Sequence, residues 1–140
     1  MSDVKPITPK EAWNIMQEQP QSVLIDVRSS MEHLFVGHPK AAISIPWIDE
    51  PDWKIDPNFA THIRQLMLGG AQCTEENCSP PILLICRSGK RSLEAGNKLI
   101  EEGFHEVYNI EGGFEGPLDE SHKRSSVAGW RFDELPWEQC

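Results

Sequence analysis

The sequence predicts an α/β fold: a central, mostly parallel sheet of about five strands, flanked by helices on both faces. Three observations carry this. Short aliphatic or β-branched runs at Ser22 to Val27, Ala42 to Ile45, Ile82 to Ile85 and Glu106 to Ile110 read as strands, the third with no polar partner, as in a strand buried on both faces. Between them, apolar residues recur every three to four positions, the period of a helix. The two kinds of segment alternate along the chain, the order of βαβ units.

Taken in order, Thr8-Pro9-Lys10-Glu11 predicts a helix start, with Thr8 as N-cap, Pro9 first in the helix and Glu11 closing a capping box. Ala12, Ile15 and Met16 form its apolar face, which fades before Pro20. The strand at 22–27 carries Asp26 within an apolar run. A buried carboxylate is costly alone, so Asp26 sits at an edge or has a partner. Ser29 to Phe35 reads as a short helix containing Glu32, Gly37 to Lys40 as a turn, and Pro46 ends the next strand. Trp47 to Pro57 is acidic, contains prolines and is predicted to be irregular. Phe59, Ile63, Leu66 and Met67 define a helix from Asn58 to Leu68, and Ala71 to Ser79 reads as a polar loop before the central strand. Gly112-Gly113-Phe114 makes a tight strand-to-helix turn. The extension 117–140 is polar and is anchored on the domain by Trp130, Leu135 and Trp137.

With 140 residues, 39% hydrophobic and 25% charged, the chain is predicted as one globular domain spanning 1–140. No run approaches a membrane span, and the N-terminus lacks the apolar core of a signal peptide, so a cytoplasmic location is expected. A net charge of −9 argues against nucleic-acid and anionic-membrane partners. Cys73, Cys78, Cys86 and Cys140 are expected to be free thiols. No second Cys/His pair with short spacing joins Cys73 and Cys78, so no metal site is predicted.

Against this acidic background, one stretch is basic. The apolar run ends on Cys86, Arg87-Ser88-Gly89-Lys90-Arg91-Ser92 follows, and Leu93, Asn97, Ile100 and Phe104 then mark a helix to Glu102 closed by Gly103. Cys86 is thereby predicted at the carboxyl end of a buried strand, where open α/β sheets bind ligands, with a helix N-terminus facing its sulfur. Only a thiolate is a good nucleophile. A helix N-terminus favours a nearby anion by about 0.3–1 kcal/mol, and by up to about 2 when partly buried. Arg87, Lys90 and Arg91 add to that, so a reactive thiolate needs no histidine base. His33, His38, His62, His105 and His122 are scattered, and His38 reads as a structural hydrogen-bonding residue.

Cys86-Arg-Ser-Gly-Lys-Arg-Ser92 resembles the active-site loop of single-domain rhodanese-like sulfurtransferases. Ile25-Asp26-Val27-Arg28 resembles the family's first motif, with Glu32 where an acidic residue is usual. Gly37-His38 through Ile45-Pro46 and Asn109-Ile-Glu-Gly112-Gly113-Phe114 resemble two further motifs in the right order. The resemblance spans about 7–116. Pro39 and Ala41 depart from it, standing where isoleucine and glycine are usual.

The resemblance implies thiosulfate sulfurtransferase chemistry. Cys86 would take sulfane sulfur from a small anionic donor, hold it as a persulfide and pass it to a thiol or a protein cysteine, with no cofactor. Backbone N–H groups of Arg87 through Ser92 would form the persulfide cradle, Arg87, Lys90 and Arg91 would attract the donor, and Asp26 and Arg28 would support the loop. Two rival readings share the fold. A persulfide carrier or sulfur-sensing module would keep the same residues without turnover. Cysteine phosphatases and arsenate reductases resemble Cys-x5-Arg, whose arginine clamps a tetrahedral oxyanion. Here Arg91 comes one residue too early and Ser92 occupies that place.

Overall fold

The computed structural model describes residues 3–70 and 80–139. In chain order its elements are β1 (Lys5–Ile7), α1 (Pro9–Glu18), β2 (Val23–Asp26), a π-helical turn (Glu32–Val36), β3 (His38–Pro39), β4 (Ile43–Ser44), β5 (Ile48–Asp49), β6 (Lys54–Ile55), α2 (Phe59–Gly70), β7 (Ile82–Ile85), α3 (Lys90–Glu101), β8 (Val107–Ile110) and β9 (Trp137–Glu138). Five strands form one sheet in the order β1-β8-β7-β2-β4, and every pairing in it is parallel.

The central strand β7 is buried along its whole length, as its all-aliphatic sequence requires. Its side chains alternate between two cores. Ile82 and Leu84 pack with Ile25, Phe59, Ile63 and Leu99 on the face covered by α2 and α3. Leu83 and Ile85 pack with Leu24, Ala12, Phe114 and Trp130 on the other, covered by α1 and the C-terminal extension. Each such aliphatic chain contributes about 1.5–3 kcal/mol by leaving water. The capping box forms as read: Glu11 N donates to Thr8 Oγ1 at 3.1 Å and Thr8 N to Glu11 Oε1 at 2.9 Å.

Several sequence expectations are corrected. The buried face of α3 is Ser92, Ala95, Gly96 and Leu99, while Leu93 and Asn97 point to solvent. A Cβ on Gly96 would lie 2.9 Å from Val4 Cγ2 and 3.4 Å from Leu84 Cδ1. At Gly96 the helix approaches Val4 and Leu84 so closely that only a small residue fits, and small residues do not register as an apolar stripe. The Trp47–Pro57 segment is not wholly irregular but holds the antiparallel pair β5–β6, with Ile48 opposite Ile55. Strand β1 went unpredicted; Pro6 is tolerated because β1 is the edge of the sheet. The short helix expected at 29–35 widens into the π-helical turn.

Ala41 adopts φ 71°, so the turn keeps the left-handed geometry that glycine would hold without strain. The C-terminal extension brings Trp130 into the core, edge-on to Trp13 at 6.2 Å, and adds β9 antiparallel to β3. Cys73, Cys78 and Cys140 lie outside the described residues.

Candidate active site

Cys86 directly follows β7 and is 1% exposed. The chain turns at Gly89, which adopts φ 105°, and α3 begins at Lys90. Lys90, Arg91 and Ser92 therefore form the first turn of the helix, and the loop proper is only Arg87 to Gly89. Two donors reach the sulfur: Gly89 N–H at 3.0 Å and the Ser92 hydroxyl at 3.3 Å. Asn109 on β8, which the sequence placed in a motif without assigning it a role, bonds to both donor residues. It accepts a hydrogen bond from the Ser92 hydroxyl and donates Nδ2–H to Gly89 O at 3.1 Å.

The Gly112-Gly113-Phe114 turn holds the loop from its other side. Phe114 N donates to Cys86 O at 2.8 Å, and Glu115 N and Gly116 N donate to Arg87 O at 3.0 and 3.1 Å. With these carbonyls fixed outward, the loop's N–H groups are free to face the sulfur. A Cβ on Gly113, at φ 61°, would lie 2.3 Å from Cys86 O, so this position admits no side chain.

The basic residues divide into two kinds. Arg87 and Lys90 are exposed. Arg91 is committed to Glu32, donating through Nη1 at 2.7 Å and Nη2 at 3.0 Å, so it is not the open donor-attracting group the sequence suggested. The hydrogen bond to Glu32 raises its pKa, partly offset by burial, and the negative charges of Glu32 and Asp26 add to the rise. Burial pushes the Glu32 carboxyl up, but the Arg91 hydrogen bonds and charge, with help from Ser29, hold it below its ordinary 4.5.

Because that carboxyl is depressed in the folded state, its stabilisation is complete above 4.5 and is lost as pH falls through the lower folded value. Glu32→Gln should therefore lower stability by about 1 kcal/mol at neutral pH, the modest figure due to a partly exposed pair. Denaturant melts should show the two proteins converging in acid; a constant gap would refute this.

Asp26 and Arg28 are buried together with no exposed surface. Arg28 donates Nε–H to Asp26 Oδ1 at 2.9 Å and Nη2–H to Oδ2 at 2.7 Å, and it also reaches Gly37 O. Its guanidinium stacks over Phe114 at 4.7 Å, the residue whose N–H holds Cys86 O. The pair thus meets the cysteine loop through Phe114 rather than directly. His33, which the sequence left unassigned, hydrogen-bonds Asp26 Oδ2 through Nδ1 at 2.8 Å and stacks on His38 at 3.9 Å. His38 Nδ1 in turn meets the His33 carbonyl at 2.7 Å. Burial raises the Asp26 pKa, but His33 and Arg28 together bring it below its ordinary value of 3.8.

A buried cysteine at the carboxyl end of a central parallel strand, with the Gly89 N–H and the Ser92 hydroxyl turned onto its sulfur at the start of the following helix, marks the class of α/β domain to which this chain is compared. The family profile described as "Rhodanese-like domain" matches residues 8–119, and the chain belongs to that family.

The crystal structure of Rv0390 from M. tuberculosis is similar over 99% of this chain and 100% of that one, at 34% identity and a TM-score of 0.82. A thiosulfate sulfurtransferase GlpE from Glaesserella parasuis is 29% identical over 110 residues, 79% of this chain and 82% of its own. The polysulfide-sulfur transferase homodimer from Wolinella succinogenes shares the fold, with a TM-score of 0.60 and 24% identity over 99% of this chain and 80% of that one. Among the described residues no helix is long and apolar enough to cross a membrane, and no cluster of three or more His, Cys, Asp or Glu residues could hold a metal ion.

Proposed function

We propose that this chain is a sulfurtransferase that moves sulfane sulfur from thiosulfate, or a related anionic donor, to a thiophilic acceptor through a Cys86 persulfide. The observation that carries the reading is the pair of donors on the sulfur, Gly89 N–H and Ser92 O–H, in a stretch that also carries two exposed cations, Arg87 and Lys90.

In the first half-reaction the Cys86 thiolate attacks the outer sulfur of thiosulfate. The Cys86–sulfur bond forms, the sulfur–sulfur bond of the donor breaks, and sulfite leaves with its electron pair. In the second, cyanide or a thiolate attacks the outer persulfide sulfur and the Cys86 thiolate is the leaving group. No cofactor or metal takes part. The donor set facing Cys86 acts where charge develops. Ser92 fills the place of a phosphatase's clamping arginine and Arg91 is held by Glu32, which speaks against an oxyanion hydrolase.

The acceptor in this reading is a thiol, including a cysteine on a protein. Support for a protein acceptor comes from Met31 and Leu93, both exposed: Met31 adjoins Glu32, which binds Arg91, and Leu93 lies two residues beyond Arg91.

Steady-state thiocyanate formation from thiosulfate and cyanide, set beside mercaptopyruvate, tests the reading. Arg87→Ala and Lys90→Ala should each raise KM for thiosulfate about tenfold, the worth of one charged contact, with kcat within about threefold. Uptake of one sulfur per chain without turnover would instead mean a persulfide carrier.

A further inference from the structure

The Ser92 hydroxyl has one proton and two acceptors. Cys86 Sγ lies 3.3 Å away, and Asn109 Oδ1 lies on its other side at closer range. The orientation of the Asn109 amide is fixed by chemistry, because Gly89 O can only accept and so must face Nδ2–H, at 3.1 Å. Oδ1 is therefore the atom turned to Ser92. All three groups are buried, with Asn109 7% exposed and Ser92 and Cys86 less, so neither acceptor can count on solvent to replace a lost donor.

We propose that Ser92 and Asn109 form a two-position hydroxyl switch that follows the charge on Cys86, with Asn109 as a positioning residue. This rests on the sulfur-transfer reading above. While Cys86 is a thiol, its S–H faces the Ser92 oxygen and the Ser92 O–H donates to Asn109 Oδ1. When Cys86 is a thiolate, the hydroxyl rotates and donates to Sγ, joining Gly89 N–H. In the persulfide the charge has moved to the outer sulfur and Sγ is a neutral divalent atom, so the hydroxyl turns back to donate to Asn109 Oδ1. On discharge the bond between Sγ and the outer sulfur breaks with its electron pair going to Sγ, and the hydroxyl swings back to the leaving thiolate. No proton enters or leaves the Ser92–Asn109 pair in the cycle. Without Asn109 the hydroxyl would face Sγ in every state, and its response to the charge on the sulfur would be lost.

The test uses the full chain without any sulfur substrate, so its outcome is independent of whether the protein turns over thiosulfate. The rate of Cys86 alkylation by iodoacetamide is followed against pH, with the modified residue located by peptide mass. Ser92→Ala removes a donor to the thiolate, and its profile should move to higher pH by about 0.5–1 pH unit, a 3- to 10-fold smaller thiolate fraction at a given pH. Asn109→Ala releases the hydroxyl to the sulfur, and its profile should move to lower pH by a similar amount. The double variant should titrate like Ser92→Ala alone.

The charged groups around the site, Arg91 on α3, Arg87 and Lys90 at the loop, and Asp26, Arg28, Glu32 and His33 at the end of β2 and in the π-helical turn, are the same in all variants. A role for Asn109 through Gly89 alone would shift the profile equally whether Ser92 is present or replaced by alanine, and that result overturns the switch. So does an absent or upward shift in Asn109→Ala. Should Asn109→Ala not fold, Asn109→Asp keeps the acceptor facing Ser92 and holds the hydroxyl more strongly, while its loss of the Nδ2–H bond to Gly89 O is common to both backgrounds. Its profile should then move to higher pH, and by more in the wild-type background than in the Ser92→Ala background; equal shifts again overturn the proposal.

Discussion

Cys86→Ser should take up no sulfur from thiosulfate by intact mass, and its thiocyanate formation should fall to background, a loss of about 10⁴-fold or more. The physical reason is narrow. A hydroxyl at this position stays protonated at neutral pH and is a poor nucleophile toward sulfur, whatever its surroundings. The fold should survive, because serine is smaller than cysteine and can accept the Gly89 N–H that now meets Sγ at 3.0 Å. A near-native thermal melt beside a dead reaction would separate chemistry from folding. The control is built into the chain, which has three further cysteines, Cys73, Cys78 and Cys140. If Cys86→Ser still gains one sulfur atom, one of those thiols is the acceptor and the assignment to Cys86 fails.

The sequence made this prediction possible because the nucleophile's chemistry is contiguous. A buried strand, a cysteine, a glycine and a run of cations lie within a dozen residues, so their order alone places the thiol at a helix N-terminus. What escaped notice is the pairing of groups that come from different segments. Glu32 and Arg91 are 59 positions apart, and Ser92 and Asn109 are 17 apart and on different elements.

Asn109 did leave a trace, a polar residue near the end of an otherwise apolar strand, the same anomaly that made Asp26 conspicuous. A search for polar residues at the carboxyl ends of predicted parallel strands would have found both, since that end of the sheet faces the cysteine. The β5–β6 pair and β1 left less. Strands of two and three residues are too short to show a period, and Pro6 counts against a strand unless the edge position is known. The tail could be read only as apolar anchors, because the pairing of β9 with β3 joins segments nearly a hundred residues apart.

The buried ion pair behind the loop gives the largest expected stability effect. Asp26→Ala would leave the Arg28 guanidinium fully buried with Gly37 O as its remaining hydrogen-bond acceptor among the described residues, and with Nη1 already lacking a partner. Removing one member of a buried pair costs about 3–5 kcal/mol, a large share of the roughly 5–15 kcal/mol that holds a domain together. Thermal and denaturant melts should therefore show a Tm lower by roughly 10–20 °C. Asp26→Asn keeps an acceptor and should lose less.

Its pH dependence has a definite sign. The Asp26 carboxyl is held below 3.8 in the folded protein, so its contribution is complete above 3.8 and disappears as pH falls through the folded value. The gap between wild type and Asp26→Asn should close in that acid range. The double variant Asp26→Leu/Arg28→Met should be less destabilised than the sum of the single changes, because neither residue then leaves the other unpaired. Strict additivity, or a loss under about 1 kcal/mol for Asp26→Ala, would show that the pair does not anchor this end of the sheet. The link to function runs through Phe114, stacked on Arg28 and bonded to Cys86 O. Asp26→Asn, if it folds, should therefore slow sulfur loading while leaving Arg87 and Lys90 to bind the donor, a fall in kcat with KM little changed.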